Sequence, residues 1–326
     1  MPAICLAGRR TADRRGTFAR VRWAIAIPQY VRDGTFDPGG LRAYLTRAEE
    51  LGFASAWTQE NLLGAMPVIS PLELMSYAAA CTERLRLGCA VFVSPLHTPV
   101  HLAKSLASLD QLSRGRIEVG LGVGGGFRDF AAFGLDNAHL VTRFTEGVAM
   151  MKALWTEDAV TFSGRFWQTE GVRMEPKPFQ KPHPPVWFGG SHPDALRRTV
   201  RLADGFFGAG STSTADFADQ VGVLRAELER VGRAPAGYPV AKRVYLAVDD
   251  DPDRARQGLA AELDRLYGHY GLRDMEERVA VYGQPDTVVA GLRAVAAAGA
   301  ELIQLNAMFD HAAQMERLAA EVLPQV

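Results

Sequence analysis

Polar side chains stand where two apolar runs of the sequence end, and they are the first candidates for chemistry. Gln59 and Glu60 follow the run 54–58, and His97 follows the run 85–93. A carboxyl or imidazole group held beside a reacting atom can give or take a proton. Glu60 can equally be a rim carboxylate that only forms an ion pair, and a lone histidine is more often structural. Glu60 is therefore the first candidate for a proton donor and His97 is the second, while Gln59 is a candidate for binding a cofactor.

Glycine turns follow three further apolar runs and are candidates for holding a cofactor. Glycine lets the backbone approach a phosphate closely, and the N–H groups at the start of a helix attract anions. Ordinary tight turns and helix capping by Ser191 explain the second of these turns as well, so both interpretations stay open. The first turn could also form a flat floor against a planar ring. The residues are Gly124, Gly125 and Gly126, then Gly189, Gly190 and Ser191, then Gly210, Ser211 and Thr212.

Eight strand-like runs, separated by segments of helical periodicity, must position these residues. Because a helix follows each strand, the pattern predicts a parallel sheet, and 326 residues suit one (β/α)8 TIM barrel. A doubly wound sheet is the competing architecture. Residues 157–182 break the rhythm and predict an insertion outside the barrel. The predicted strands are Val21–Ile27, Ala54–Thr58, Leu85–Val93, Arg116–Leu121, Pro185–Phe188, Gly205–Phe207, Tyr238–Val248 and Glu301–Leu305.

Other catalytic chemistries find little support in this pattern. The motif Gly120-x-Gly122-x-x-Gly125 matches a dinucleotide fingerprint, but it follows the fourth strand and no good helix continues from it. The chain has no HExxH or GxSxG motif, and we expect no metal site. Lys242 begins a strand, which is the wrong end of a barrel for a Schiff base. A site rich in glycine but poor in nucleophiles favours an enzyme whose cofactor carries the reaction.

Composition and charge exclude several classes of protein. The formal net charge of −1 predicts no general attraction to nucleic acid or to an anionic membrane. Three cysteines without CxxC spacing argue against a disulfide framework and fit a cytoplasmic protein. No apolar run reaches the ~18 residues that a membrane helix needs. Residues 1–20 lack periodicity and predict a flexible N-terminal extension, with a basic arm for a partner as the alternative, and residues 21–326 form the barrel domain.

Several motifs resemble those of luciferase-like monooxygenases and coenzyme F420-dependent reductases. The segment Ser105–Arg116, SLASLDQLSRGR, resembles their TLDxLSxGR motif, and Gly120–Gly124 continues it. From about Val21 to the C-terminus the chain is identified as a member of this bacterial-luciferase-like superfamily. The further matches are Phe133-Gly134, Leu154-Trp155, Gly164–Trp167, Pro184–Gly190, Ala203–Phe206 and Gly283–Asp286.

The resemblance implies a reduced flavin (FMN) or a deazaflavin that lies across the carboxyl ends of the strands. It implies a non-proline cis peptide at Ala90–Val91, against the ring. The glycines after strand 4 would approach the ring, and those after strands 5 and 6 the phosphate. Relatives often carry Asp-His or Glu-His after strand 2, whereas this chain has Gln59-Glu60-Asn61. Candidates for the walls of a substrate pocket, which core packing explains equally well, are Trp57, Phe127, Trp167 and Phe179.

Three functions remain open at this point. The first is an F420-dependent oxidoreductase that passes a hydride to or from a small organic substrate, and the glycine-rich end of strand 4 favours it. The second is an FMN-dependent two-component monooxygenase that takes reduced flavin from a separate reductase and uses oxygen. The third is a barrel that binds the cofactor without turnover. In each case we expect a homodimer with a small-molecule ligand and no nucleic-acid or membrane partner.

Overall fold

The structure is a computed structural model that describes residues 21–31, 34–64, 66–125 and 129–326, apart from the side chain of His269. Three sequence expectations lie outside the described residues. These are the N-terminal extension of residues 1–20, the cofactor contact of Gly126 and the pocket wall at Phe127.

Eight parallel strands form the barrel that the sequence predicts. They are β1 (Arg22–Ala26), β2 (Ser55–Thr58), β3 (Arg86–Val93), β4 (Ile117–Gly122), β7 (Val186–Phe188), β8 (Gly205–Gly208), β9 (Val240–Val248) and β11 (Leu302–Ala307). Their order is β9-β11-β1-β2-β3-β4-β7-β8, and β8 pairs with β9 to close the sheet. Most of their residues are buried, as expected for strands covered on both faces. The carboxyl ends of all eight strands therefore meet at one face of the barrel.

The helices surround the sheet and several of them begin at a proline. Proline suits the first helical position because the N–H that it lacks has no partner there. The helices are α1 (Pro38–Glu50), α2 (Pro71–Cys81), α3 (Pro99–Leu112), α4 (Leu140–Thr156), α5 (Pro193–Leu202), α6 (Thr214–Arg230), α7 (Pro252–Tyr267), α8 (Met275–Val279), α9 (Pro285–Ala297) and α10 (His311–Arg317).

The insertion expected at residues 157–182 contains an antiparallel hairpin of β5 (Val160–Ser163) and β6 (Gln168–Val172). Its tip returns to α4, where the Glu146 carboxylate accepts hydrogen bonds from the backbone N–H groups of Arg165 and Phe166. One further strand, β10 (Val281–Gly283), pairs with the last residues of β9. Three residues carry too little periodicity to be recognised as a strand, and the sequence did not predict β10.

Strand β3 is irregular where it passes β4, and two glycines of β4 make room for it. The register between the strands shifts between Cys89 and Phe92. A side chain at Gly120 would collide with the Cys89 carbonyl, and one at Gly122 would lie 2.6 Å from Cγ2 of Val91. Gly120 and Gly122 therefore serve the packing of β3, which explains the false dinucleotide fingerprint.

None of the helices in the described part of the chain is long and apolar enough to cross a membrane.

Candidate functional site

Glu60 and His97 form a hydrogen-bonded pair at the carboxyl ends of β2 and β3. His97 Nε2 lies 2.8 Å from Glu60 Oε1, and the Val93 backbone N–H donates to Glu60 Oε2 at 2.7 Å. The side chain of Glu60 is 1% exposed and that of His97 is 21% exposed. Glu60 is therefore not a solvent-exposed carboxylate at the rim of the barrel. The more exposed imidazole of His97 lies between the buried carboxyl group and solvent.

Gln59 joins the ends of several strands through its side chain and its backbone. Its Nε2 donates to the Tyr30 hydroxyl at 2.9 Å, and its Oε1 accepts from Arg243 Nη1 at 2.8 Å. The side-chain amide of Gln29 pairs with the backbone of Gln59 in both directions, each bond 2.8 Å long. The last of these contacts extends the pairing of β1 and β2 beyond the strands themselves. Burial raises the pKa of Tyr30 to about 12.

Arg243 crosses the interior of the barrel from β9. Besides Gln59, its guanidinium donates to Gln304 Oε1 at 3.1 Å and to the Ala90 carbonyl at 2.6 Å. All three acceptors are uncharged, and no carboxylate in the described residues forms an ion pair with it. Since a guanidinium stays protonated in proteins, Arg243 places an uncompensated positive charge at the mouth of the barrel.

The peptide bond between Ala90 and Val91 is cis, as the family resemblance implies. The Ala90 carbonyl accepts from Arg243, and the Val91 side chain lies against the ends of β4 and β7. Gly189, at the end of β7, has room for a methyl group, since its nearest neighbours would be 3.5 Å away. Beyond β4, Gly124 has a φ of +86°, and Gly125 follows it at the same rim.

A pocket of about 390 Å³ lies between the first turns of α5 and α6, and Ser191 and Thr212 are the residues of the predicted phosphate site that line it. Gln220 is 7% exposed, and its Oε1 has no hydrogen-bond partner. Buried polar atoms are nearly always satisfied, so Gln220 has hydrogen-bonding capacity for a group in this pocket. The Gln220 side chain carries an N–H2 donor as well as this carbonyl acceptor. The lining residues are Ser191, Pro193, Leu196, Thr212, Asp216, Asp219, Gln220 and Val223.

These donors fit a phosphate group, with one qualification about charge. The hydroxyls of Ser191 and Thr212 and the N–H2 group of Gln220 can all donate. Ser191 does not cap α5, because His192 is the N-cap and its Nδ1 accepts from the Asp194 N–H, so the capping interpretation of Ser191 was wrong. The carboxylates of Asp216 and Asp219 both oppose an anion, although Asp216 is already hydrogen-bonded to Ser213 at the start of α6.

Lys242 lies directly beneath the same loop, which corrects the expectation that it faces the wrong end of the barrel. β9 is displaced relative to β8, so that Lys242 pairs with Gly208 at the carboxyl end of β8. Its Nζ donates to the Thr212 carbonyl at 2.8 Å and to the Ala209 carbonyl. Burial, helped by the charge of Arg243, lowers the pKa of Lys242 to about 7.

Gly210 and Ser211 complete the loop above Lys242. A side chain at Gly210 would lie 2.6 Å from the ring of Tyr245, so this glycine is needed for packing as well. Ser211 is exposed. The ring of Tyr245 therefore packs against one side of the loop, and Lys242 lies below it.

Of the residues suggested as walls of a substrate pocket, Trp57 lies in the core and Phe179 lies on the surface. Trp57 packs against Trp187 and Phe207 inside the barrel and is 1% exposed, which makes it core. Phe179 is 53% exposed and lies beside Gly115, at the opposite end of the barrel. Trp167, at the tip of the inserted hairpin, lies near the loop that carries His97.

Sequence reasoning missed Arg243 and dismissed Lys242. Both stand in the strand segment Val240–Val248, in which every residue is buried. Charged residues are almost never fully buried unless they are paired. Two adjacent cations inside an otherwise apolar strand were therefore a signal that the sequence contained.

A sequence profile of the luciferase-like monooxygenase family matches residues 16–302. The chain belongs to this family. The match includes the barrel strands from β1 to β9 and all the candidate site residues.

Relatives in this family use two different cofactors. The chain is 32% identical over 167 residues to the FMNH2-dependent dimethylsulfone monooxygenase of Pseudomonas putida, which covers 50% of this chain and 45% of that protein. It thus spans about half the length of that relative. It is 23% identical over 319 residues to the F420-dependent glucose-6-phosphate dehydrogenase of Amycolatopsis mediterranei, which covers 89% of this chain and 95% of that protein.

Among solved structures, monooxygenase RslO1 from Streptomyces bottropensis superimposes with a TM-score of 0.82 at 25% identity. The superposition covers 93% of this chain and 99% of that one.

Proposed function

We propose that this protein is a coenzyme F420-dependent oxidoreductase that transfers a hydride to or from a small organic substrate. The observation that carries the proposal is the buried Glu60–His97 pair. Hydride transfer to a polarised double bond requires a proton in the same turnover, and a positioned acid contributes typically ~10²–10⁴-fold. The pair lies at the carboxyl ends of adjacent strands, where barrel enzymes place catalytic groups.

The described residues would hold such a cofactor at two places. Ser191, Thr212 and Gln220 would receive the phosphate, with Lys242 below their loop. The cis peptide Ala90–Val91 and the glycines Gly124 and Gly125 would border the ring. When bound, the deazaflavin supplies the hydride or accepts it.

In the proposed reaction, Glu60 and His97 would transfer one proton, and the burial of Glu60 would keep water away from it. The Val93 N–H fixes one oxygen of Glu60 and leaves the other for His97. The carboxyl group is sealed from solvent, so protons enter and leave through the imidazole. Arg243 fixes the Ala90 carbonyl, and its unpaired charge favours a ligand that carries negative charge near it.

An FMN-dependent monooxygenase is the second candidate, and the similarity to the dimethylsulfone monooxygenase favours it. The relative that aligns over almost the whole chain is F420-dependent, and for this reason we place F420 first. The monooxygenase would need a separate reductase as a partner. A barrel that binds its cofactor without turnover is the third function.

Titration of the purified protein with F420 and with FMN, followed by visible absorption and fluorescence, tests the proposal. Saturable binding of F420 at lower concentration than FMN supports it. Preference for reduced FMN, with oxygen consumption on mixing, would replace it with the monooxygenase. Binding of neither cofactor would overturn both.

A further inference from the structure

Buried donors without a partner are concentrated in one contact at the edge of the candidate site. In the described residues, the buried side-chain polar atoms without a hydrogen bond are Arg143 Nε, Trp167 Nε1 and Gln220 Oε1. Gln220 belongs to the phosphate pocket described above. The other two are both donors, and they belong to side chains that touch each other. Unsatisfied buried groups are rare in folded proteins, and each calls for a physical explanation.

Arg143 is a cation stacked on aromatic rings and not on a carboxylate. Its Cζ lies 4.4 Å from the ring centre of Trp167 and 5.6 Å from that of Phe166. Within the described ranges, Nε of this guanidinium has no hydrogen-bond acceptor. The nearby acid Glu146 is engaged with the backbone of the hairpin tip. Burial lowers the pKa of Arg143, and no neighbouring charge offsets that effect.

This pair adjoins the loop that carries His97. A methyl group on Gly147, in the middle of α4, would lie 3.7 Å from Trp167 Nε1 and 3.9 Å from Ser94 Oγ. Ser94 opens the turn whose last residue is followed by His97, and the His97 N–H donates to the Ser94 carbonyl at 3.1 Å. The hairpin tip therefore places a guanidinium and an indole N–H in contact with each other, close to the loop that carries His97.

We propose that Arg143 and Trp167 form a recognition site for an anionic group of the substrate, a carboxylate or a sulfonate. An oxyanion supplies the acceptors that both side chains lack, and a guanidinium matches its geometry in two parallel hydrogen bonds. The aromatic faces of Phe166 and Trp167 hold the guanidinium flat. This assignment names a substrate class for the proposed oxidoreductase and rests on that function, although the binding itself can be measured without cofactor.

Acid and amide pairs of the same shape test the site directly. The probes are benzoate with benzamide, and benzenesulfonate with benzenesulfonamide, added to the full chain while the Trp167 indole N–H resonance is followed by ¹⁵N NMR. The resonance is identified by its absence in Trp167→Phe. We expect one or both acids to shift it in a saturable manner and the amides to leave it unchanged. The pair that responds distinguishes a carboxylate from a sulfonate site.

Two arginine variants complete the test. Arg143→Gln should weaken the affinity for the responding acid about tenfold or more, as expected for loss of a charge-assisted pair. Arg165→Gln is the matched control, because Arg165 lies 5.5 Å from the same Phe166 ring and is exposed. Equal shifts by acid and amide, no shift by either acid, or equal losses in the two variants would overturn the site.

The same samples separate this site from the proposed function. Acid binding at Arg143 without binding of F420 or FMN would leave the site standing and remove the oxidoreductase. Cofactor binding without any dependence of acid binding on Arg143 would do the reverse.

Discussion

The two ends of the barrel differ in their buried polar groups, because among the described residues the buried side-chain atoms without a hydrogen bond belong to the carboxyl end. At the amino end, Glu118 accepts from Arg86 Nε and from Trp187 Nε1, each at 2.6 Å. Asp110 there accepts twice from Gln180. At the carboxyl end, Arg243 has only uncharged partners, and Arg143, Trp167 and Gln220 keep atoms without any. Closed networks serve the fold, whereas open ones leave hydrogen-bonding capacity for a ligand.

Glu60→Gln should produce the largest change at the carboxyl end, and this change should be a lower turnover rate. Gln can keep the bonds to Val93 and His97 but cannot supply a proton, so turnover should fall by ~10²–10⁴-fold. Cofactor affinity and the free energy of unfolding should stay close to wild type. Single-turnover kinetics with prereduced cofactor measures the step. An unchanged rate would remove Glu60 from the reaction and make His97 the next candidate.

Glu118→Ala should produce the largest change at the amino end, and this change should be a lower free energy of unfolding. It leaves the Trp187 N–H without an acceptor and Arg86 without its carboxylate. Because Arg86 keeps carbonyl and amide acceptors, we expect a cost of about 3 kcal/mol, at the low end for a broken buried pair. Urea unfolding measures it. A clear loss of cofactor affinity in this variant would contradict the division between the two ends.

Lys242 should make stability depend on pH. Its pKa is lowered from 10.5 to about 7 in the folded chain, so between these values the unfolded chain binds more protons. The free energy of unfolding should therefore rise with pH across this window, by roughly a few kcal/mol at most. Lys242→Met should flatten that rise in urea unfolding measured from pH 6 to pH 9.

Lys152 provides a graded control for that experiment. Burial lowers its pKa too, but Asp204 partly offsets the effect. Lys152→Met should flatten the pH dependence less than Lys242→Met does. Equal slopes in wild type and Lys242→Met would show that Lys242 does not titrate in this window.

Gly189→Ala and Gly210→Ala should separate a ligand contact from a packing contact. A methyl group fits at Gly189, so stability should change by less than about 0.5 kcal/mol, while a phosphate that approaches this backbone would bind more weakly. At Gly210 the methyl group meets Tyr245, and overpacking should cost about 1–3 kcal/mol. Thermal unfolding and cofactor titration distinguish the two. Similar losses of stability in both variants would refute the assignment.

The sequence was sufficient for the barrel because its signals are local. Apolar runs and capping residues marked each of the eight barrel strands to within about two residues at most ends, whereas the three residues of β10 gave no such signal. The same reasoning brought Glu60 and His97 to neighbouring strand ends. Their hydrogen bond depends on the side-chain directions of residues 37 apart, and no spacing rule supplies that.

The polar interior was less predictable for a different reason. Arg243 donates hydrogen bonds to Gln59, Ala90 and Gln304. These residues are distant in sequence, and the closed barrel brings them together. The offset of β9 against β8, which brings Lys242 to the loop after β8, depends on how strands pair around the whole barrel. Register of this kind is a property of the sheet and not of one strand.

The hydrogen bonds of Gln29, Gln59 and Arg243 link the carboxyl ends of β1 and β2 to residues within β3, β9 and β11. A set of strands joined in this way opens together, so its amides should exchange with solvent at one slow rate. Little conformational freedom is left at that rim for a ligand to remove. The mouth of the barrel is thus preorganised, and affinity there depends on how well a ligand matches a shape that exists before it arrives.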